Sequence, residues 1–408
     1  MYSNSDAAAI HNFFWAAKPW AFYTSNLTPY PISFTFFYKD MDEDFLHKKI
    51  TGRKAQNAYR QLRLGGEGID FCSNDYLGIA THQLLPVEHS YSSGSTGSRL
   101  LTGNYRLIEE TETAVAAFHQ AQAALLFNSG YDANTGLLSA VPQRGDTVLY
   151  DALSHASVRD GLRLGLAQAF SFAHNDCHDL EKKLTVAARN IFVVTEAVFS
   201  MDGDLAPLQE MAALCNRYKA HLIVDEAHAT GVLGNNGEGL VQALGLANQC
   251  LARVHTFGKA LGCHGAVVLG SQLLRDYLVN FCRPFMYTTA LPPVAVAAVA
   301  AAYSVFPAME KERRQLQQLT GIFQQADLPF EKLLSTTPVQ SVIIPGNNNV
   351  KLAAEACRSN GFDVRAILYP TVPAGRERLR VVMHSFNTED DLKRLIGVLK
   401  NLPSPPFQ

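Results

Sequence analysis

LIVDEAHATG (residues 222–231) places a carboxylate, Asp225, at the end of an apolar run, and VHTFGKALG (residues 254–262) places an amine, Lys259, just after a second one. Short apolar runs bounded by polar residues or glycine read as buried strands. A lysine amine is a weak nucleophile at neutral pH unless its surroundings lower its pKa or a carbonyl partner traps it as a Schiff base. A carboxylate suits the ring nitrogen of a pyridine-type cofactor, because a protonated ring is the sink that stabilises a carbanion. Alone, Asp225 capping a strand and Lys259 lying on the surface would explain the same letters. The flanking chain decides between the two.

Outward from this pair, AALLF, TVLY, IFVVT, HLIVD, VHTF and AVVLG are strand candidates between residues 123 and 270. Helical patterns separate them. The clearest spans 205–218, where Leu208, Met211, Ala212 and Cys215 recur at i, i+3, i+4 and i+7. This alternation predicts an α/β fold with a mostly parallel central sheet and a ligand at the carboxyl ends of its strands. A charged helix is expected over 45–63, a short strand at 69–71 and a helix over 109–119. After about residue 291 two helices (293–306 and 308–325) precede strands in VQSVII and LRVVMH and helices over 350–360 and 388–400, which reads as a smaller α+β domain. The expected division is an extension over 1–40, an N-terminal segment over 41–90, a large domain over 91–290 and a small one over 291–408.

Composition narrows the function. With 408 residues and 47% hydrophobic content the chain can bury a large core. A net charge of -2 offers no field for nucleic acid or an anionic membrane. The run at 290–306, ALPPVAVAAVAAAYSVF, is shorter than the roughly 20 residues a membrane span needs and reads as a buried helix. Seven scattered cysteines without a C-x-x-C spacing encode neither a disulfide framework nor a zinc site, and favour a reducing cytoplasm. Cys263 and His264 read as wall residues near Lys259, not metal ligands. The aromatic-rich first 40 residues lack the basic start of a secretory signal and the arginines of a transit peptide. They read as an extension outside the core, with Met41 opening a polar first helix.

Several further residues fall at successive strand ends. FNSGYDAN (127–134) sets Gly130 and Tyr131 between a strand and a helix, where free amides and the helix dipole favour a phosphate. DALSHAS (151–157) sets His155 where its ring could stack on a cofactor. TEAVFSMDGD (195–204) offers Glu196 and Ser200, VDEAHATG offers His228, and Thr256 offers a hydroxyl three residues before Lys259. One cleft would collect them all.

NDYLG, GSTGSRLLTGN, SHAS, AHND, TEAVFSMDGDLAPL, VDEAHATG, TFGKALG, YTTALPP and TVPAGRERLR occur here in the order found in the α-oxoamine synthases. The chain from about residue 45 onward resembles these fold-type I pyridoxal-phosphate enzymes, which condense an amino acid with an acyl thioester. The resemblance implies that Lys259 carries pyridoxal 5'-phosphate and later moves protons at the substrate α-carbon. It implies Asp225 at the ring nitrogen, His155 stacked on the ring, His228 near the phenolic oxygen, and Glu196 and Ser200 in the same pocket. Gly130, Tyr131, Thr256 and Thr289 would hold the phosphate, Thr289 from the partner subunit of a homodimer with shared active sites. Asn74 and Arg380 would hold the amino acid, Arg380 gripping its carboxylate, and Arg60 would stand at the acyl entrance. AHND, MDGDLAPL and TVPAG favour a member joining L-alanine to a pimeloyl thioester, on coenzyme A or a carrier protein, for biotin synthesis. AILYPTVP (366–373) has Leu368 where many relatives carry arginine, and its Tyr369-Pro370 pair is more like that of glycine-using siblings; a sibling synthase using glycine or serine is therefore the second reading, with Arg365 or Arg376 left to meet a second carboxylate. A non-catalytic dimeric homologue is the third reading, disfavoured by the intact Lys259, Asp225, His155 and His228.

Overall fold

The computed structural model describes residues 42–403 except 63, 66, 67 and 89. The expected extension over 1–40 and the role given to Met41 therefore lie outside the described residues. The described residues from 53 onward form one compact unit. Its twelve strands are β1 (Ile69–Asp70), β2 (Ala123–Phe127), β3 (Thr147–Asp151), β4 (Gln168–Phe172), β5 (Ile191–Glu196), β6 (His221–Asp225), β7 (Cys250–Thr256), β8 (Ala266–Gly270), β9 (Val339–Ile343), β10 (Phe362–Asp363), β11 (Arg365–Ile367) and β12 (Arg378–Val382).

Seven of them make the central sheet, in the order β2-β8-β7-β6-β5-β3-β4. From β7 to β4 every pair is parallel, and only β8 runs antiparallel, to both β7 and β2. Two reversals restore the direction of β2. The carboxyl ends of β2, β3, β5, β6 and β7 thus share one edge, and the chain after each can contribute to one cleft. The strands β2 and β5 are buried along their whole length, as a sheet covered on both faces requires. A second sheet, β11-β12-β9, is antiparallel, and β1 pairs parallel with β10. A single apolar cluster ties β8 and the Phe257–Leu261 turn to Leu379, Val381 and Leu395. Each such fully buried aliphatic side chain contributes about 1.5–3 kcal/mol.

Local departures from expectation have local causes. The first helix, Asp44–Ala55, ends well before residue 63 because Asn57 turns left-handed at φ 51°. The helix expected from 205 begins at Leu208, since Leu205 bridges Val198 and Pro207 supplies no amide. Its buried face includes the expected Leu208, Met211, Ala212 and Cys215. The strand β4 escaped the sequence because it is an edge strand, exposed at four of five positions and without the apolar pattern of its neighbours. The Ala-rich run forms Pro293–Val305, with Val296, Ala297, Val299 and Ala302 buried. Among the described residues no single helix is long and apolar enough to cross a membrane. Only a pair bent by 68°, 293–308 with 310–325, passes on length and composition.

Candidate active site

Asp225 is the last residue of β6, in register with Glu196 on β5 and Val254 on β7. Its carboxylate is 6% exposed and doubly held: Oδ1 accepts from the Ala227 amide at 2.8 Å, Oδ2 from the Asn134 side chain at 2.6 Å. Asn134 comes one helical turn after Gly130 and also donates to Ser157 Oγ at 3.1 Å. Donors of this kind stabilise a charged carboxylate in a buried place.

Lys259 sits on a turn closed by backbone bonds from Phe257 to Gly265, Gly262 to Lys259 and Cys263 to Phe257. Gly262 allows that turn at φ 63°, and a Cβ there would stand 2.7 Å from the Ala80 amide. No hydrogen bond or ion pair engages the Lys259 amine among the described residues. Burial pulls its pKa down to about 8, against the upward pull of Asp225 and Glu196 and with help from Arg380. Burial, then the nearby Asp225 charge, push Glu196 up to about 8. Lysine and acids therefore share one poised electrostatic field.

Glu196 Oε1 accepts from the His155 amide at 2.6 Å. His155 caps the helix Ala156–Leu164, its Nδ1 accepting from the Ser157 amide at 3.2 Å, which assigns the ring proton to Nε2. Desolvation, with Lys259 nearby, lowers its pKa against the pull of Asp225. His228 is 6% exposed, and burial followed by Lys259 and Arg380 holds its pKa well below the usual range. Its Nδ1 lies 2.6 Å from the Tyr76 hydroxyl, which donates to Asn74 Oδ1 at 3.3 Å. The same Asn74 oxygen accepts from Arg380 Nη2 at 2.9 Å, while Arg380 Nε donates to the Ser200 carbonyl at 2.7 Å. A continuous chain of polar contacts thus joins Arg380 on β12 to the histidine after β6.

These elements surround a cavity of about 240 Å³. Gly130, Tyr131, His155, Glu196, Asp225, His228, Thr256 and Lys259 all line it; of the two expected wall residues, His264 lines it and Cys263 does not. At its end the helix Gly130–Ala140 begins; Ser129 caps the Asp132 amide, leaving the first two amides free to meet an anion. A Cβ on Gly130 would lie 2.4 Å from Thr256 Cγ2, so only glycine permits this approach. Asn74, Arg380 and Ser200 do not line the cavity but adjoin it through the Tyr76–His228 contact, Ser200 taking part by its carbonyl. Arg60 is exposed and donates to Thr371 Oγ1 at 3.0 Å. Thr289 lies outside this cleft, its carbonyl accepting from Asn128. Arg376 forks onto Glu331 at 2.7 and 2.9 Å, and Arg365 pairs with Asp363. Among the described residues no group of three or more His, Cys, Asp or Glu is placed to hold a metal ion.

The model of the family described as aminotransferase class I and II matches residues 66–399. The chain belongs to that family. Within it, an 8-amino-7-oxononanoate synthase from Emericella nidulans is 40% identical over 391 residues, covering 87% of this chain and 94% of its own. The serine palmitoyltransferase from S. paucimobilis, solved with a bound PLP–myriocin adduct, superposes with a TM-score of 0.78 at 27% identity, covering 88% of this chain and 96% of its own. An 8-amino-7-oxononanoate synthase from Francisella tularensis gives 0.70 at 29%, covering 82% and 97%. The fold is that of the type I transferases, as the motif order implied.

In this aminotransferase-family cleft, three contributors escaped the sequence reading: Asn134, Ser157 and Tyr76. Each lies inside a motif already singled out, FNSGYDAN, DALSHAS or NDYLG. Asn134 was within reach, because it falls on the same helix face as Gly130 at i+4. Tyr76 was not, since its partner His228 is 152 positions away.

Proposed function

We propose that this chain is an α-oxoamine synthase that condenses L-alanine with a pimeloyl thioester, yielding 8-amino-7-oxononanoate, carbon dioxide and the free thiol of coenzyme A or a carrier protein. The observation that carries this is the meeting of an unengaged Lys259 and a doubly held Asp225 in one cavity, in a chain 40% identical to such a synthase over most of both lengths.

The donor set fits pyridoxal phosphate, as the glycine-only approach at Gly130, the free amides beside it and the buried acid indicate. When bound, that cofactor supplies a carbonyl for a lysine amine and a ring that withdraws electrons from the substrate α-carbon. Lys259, lowered to about 8, presents a useful fraction of neutral amine near neutral pH, to capture the cofactor and then to carry a proton from and to the α-carbon. Asp225, held in place by Asn134 and the Ala227 amide, would pair with the ring nitrogen. His155 would cover one face of the ring, and Glu196 fixes the His155 backbone. Gly130, Tyr131 and Thr256 would hold the phosphate end, joined by Thr289 of the partner subunit in a homodimer. His228 would neighbour the ring oxygen. Arg380 and Asn74 bind the amino acid carboxylate, for which a guanidinium fork is better suited than an ammonium. Arg60 stands at the thioester entrance. On this reading 91–290 is the domain that holds the cofactor and 291–408 the one that brings Arg380.

The test is thiol release with a panel of amino acids and thioesters. L-Alanine with pimeloyl-CoA or its carrier-protein thioester should be the preferred pair. Preference for glycine or serine would favour a sibling synthase, the reading that Leu368 and the palmitoyltransferase likeness support. No turnover with any pair would defeat both.

A further inference from the structure

The AHND motif takes no part in the site as described, yet its histidine occupies an unusual position. His174 Nδ1 lies 2.9 Å from Asp151 Oδ1 and its Nε2 2.8 Å from Asp204 Oδ2. A carboxylate oxygen accepts and does not donate, so a ring bonded to carboxylates at both nitrogens carries both protons and a positive charge. The ring also stands edge-on to Phe199, with centroids 4.5 Å apart. Asn175 doubles the link: its amide donates to Asp151 Oδ2 at 2.9 Å and its side chain to Asp204 Oδ2 at 2.7 Å.

The two carboxylates belong to different elements beside the cleft. Asp151 ends β3, four residues before His155, and is fully buried. Asp204 closes the turn 198–205, pinned by Phe199 amide to Asp204 carbonyl and by the Val198–Leu205 bridge. Residues 200–203 of that turn each meet the small sheet or the chain leading into it. The Ser200 carbonyl accepts from Arg380 Nε, the Met201 carbonyl from Ser341 Oγ at 2.6 Å, Asp202 pairs with Arg378, and the Gly203 carbonyl accepts from Ser335 and Thr337 hydroxyls at 2.8 Å.

We propose that His174 is a positioning residue: a standing cation between Asp151 and Asp204 that locks the turn 198–205 to β3 and thereby aims the Arg380 guanidinium through the Ser200 carbonyl. This rests on the reading of Arg380 as the carboxylate-binding arginine. The charged groups around the ring are Asp151 and Asp204 in contact, with Asp202 next along the turn and answered by Arg378. Burial works against the charge, but the two carboxylates outweigh it and raise His174 to about 10. With its pKa raised, the clamp is fully present below the ordinary value near 6.5 and is lost only as pH climbs through about 10.

The holoenzyme tests this in two ways. In nitrogen-labelled histidine spectra, one ring should keep both nitrogens protonated to about pH 9, where an ordinary histidine is neutral, and His174→Gln should remove that signal. In steady-state kinetics, His174→Gln should raise KM for the amino acid about fivefold or more while KM for the thioester stays within about twofold. Asp204→Asn, which frees the turn but spares the contact with Asp151, should give the same split if the first variant folds poorly. No doubly protonated ring above about pH 8, equal rises in both KM values, or an unchanged amino acid KM in both variants would overturn the proposal. The spectrum needs no turnover, so an enzyme inactive with every thioester would defeat the synthase reading while the clamp is still judged.

Discussion

Asp225 and Glu226 are adjacent in the chain and buried to 6% and 0% exposure, yet they face two different regions. Asp225 opens on the cavity that Lys259 also lines. Glu226 turns away into a sealed cluster, where its oxygens accept from the Leu240 amide at 2.8 Å and the Val241 amide at 2.6 Å. Behind it, Arg253 donates to the His119 carbonyl at 2.6 Å, His255 meets Thr230 Oγ1 at 2.9 Å, and His119 meets the Tyr303 hydroxyl at 2.9 Å. The two imidazoles lie 4.1 Å apart, and burial keeps both neutral, His119 being pushed down to about 3. Both regions hold a buried carboxylate, a cation and two histidines. What separates them is access: the cation of the sealed region bonds a backbone carbonyl away from that cavity, whereas among the described residues no hydrogen bond or ion pair engages Lys259, which lines it. Buried charge marks a site only where geometry leaves it something to do.

Breaking the open side should give the largest effect. Lys259→Ala should lower thiol release by about 10³-fold or more and abolish the visible absorbance of a lysine-bound pyridoxal; surviving turnover would remove Lys259 from the chemistry. Asp225→Asn should cost on the order of 10²-fold in kcat with little change in urea midpoint. Its neighbour should behave oppositely. Glu226→Gln turns a donor toward a backbone amide, so it should lose about 1–3 kcal/mol of stability in urea titration and keep kcat within about twofold. If the two substitutions gave the same profile, the distinction between the regions would collapse.

The pH dependence sharpens the comparison. The neutral amine is the attacking form, and burial has depressed the pKa of Lys259, so the rate at which cofactor-free protein captures pyridoxal phosphate should rise with pH and level off above about 8. A rate that keeps climbing toward the ordinary lysine value near 10.5 would mean that the cleft does not tune this amine. The smallest effect belongs to the sealed region. His119→Phe keeps the ring shape and leaves the Tyr303 hydroxyl without its partner, so a loss of about 1 kcal/mol is expected in urea titration, with cofactor capture unchanged.

Much of this was legible in the letters, because the central sheet is written in continuous apolar runs that reveal strands without reference to anything distant. The positions of Gly130, His155, Glu196, Asp225, Thr256 and Lys259 follow from those runs, as each sits at or just past a strand end. The edge strand β4 was illegible for the converse reason: four of its five residues are exposed and carry no pattern. Leu368 drew attention to Arg365 and Arg376 as substitutes for a missing cation. The structure pairs them with Asp363 and Glu331, on partners that spacing alone does not identify.

The sequence by itself determined the order of the buried strands of the central sheet and of the main helices, the family, and the residues available at one edge of the sheet, because period, punctuation and motif are local properties. Only the tertiary structure decided which neighbouring carboxylate faces the cavity, that Asn134 holds Asp225, that Tyr76 links His228 to Asn74, and that His174 bridges two acids. Those outcomes depend on side-chain direction and on contacts between positions far apart in the chain, which sheet register and packing settle together.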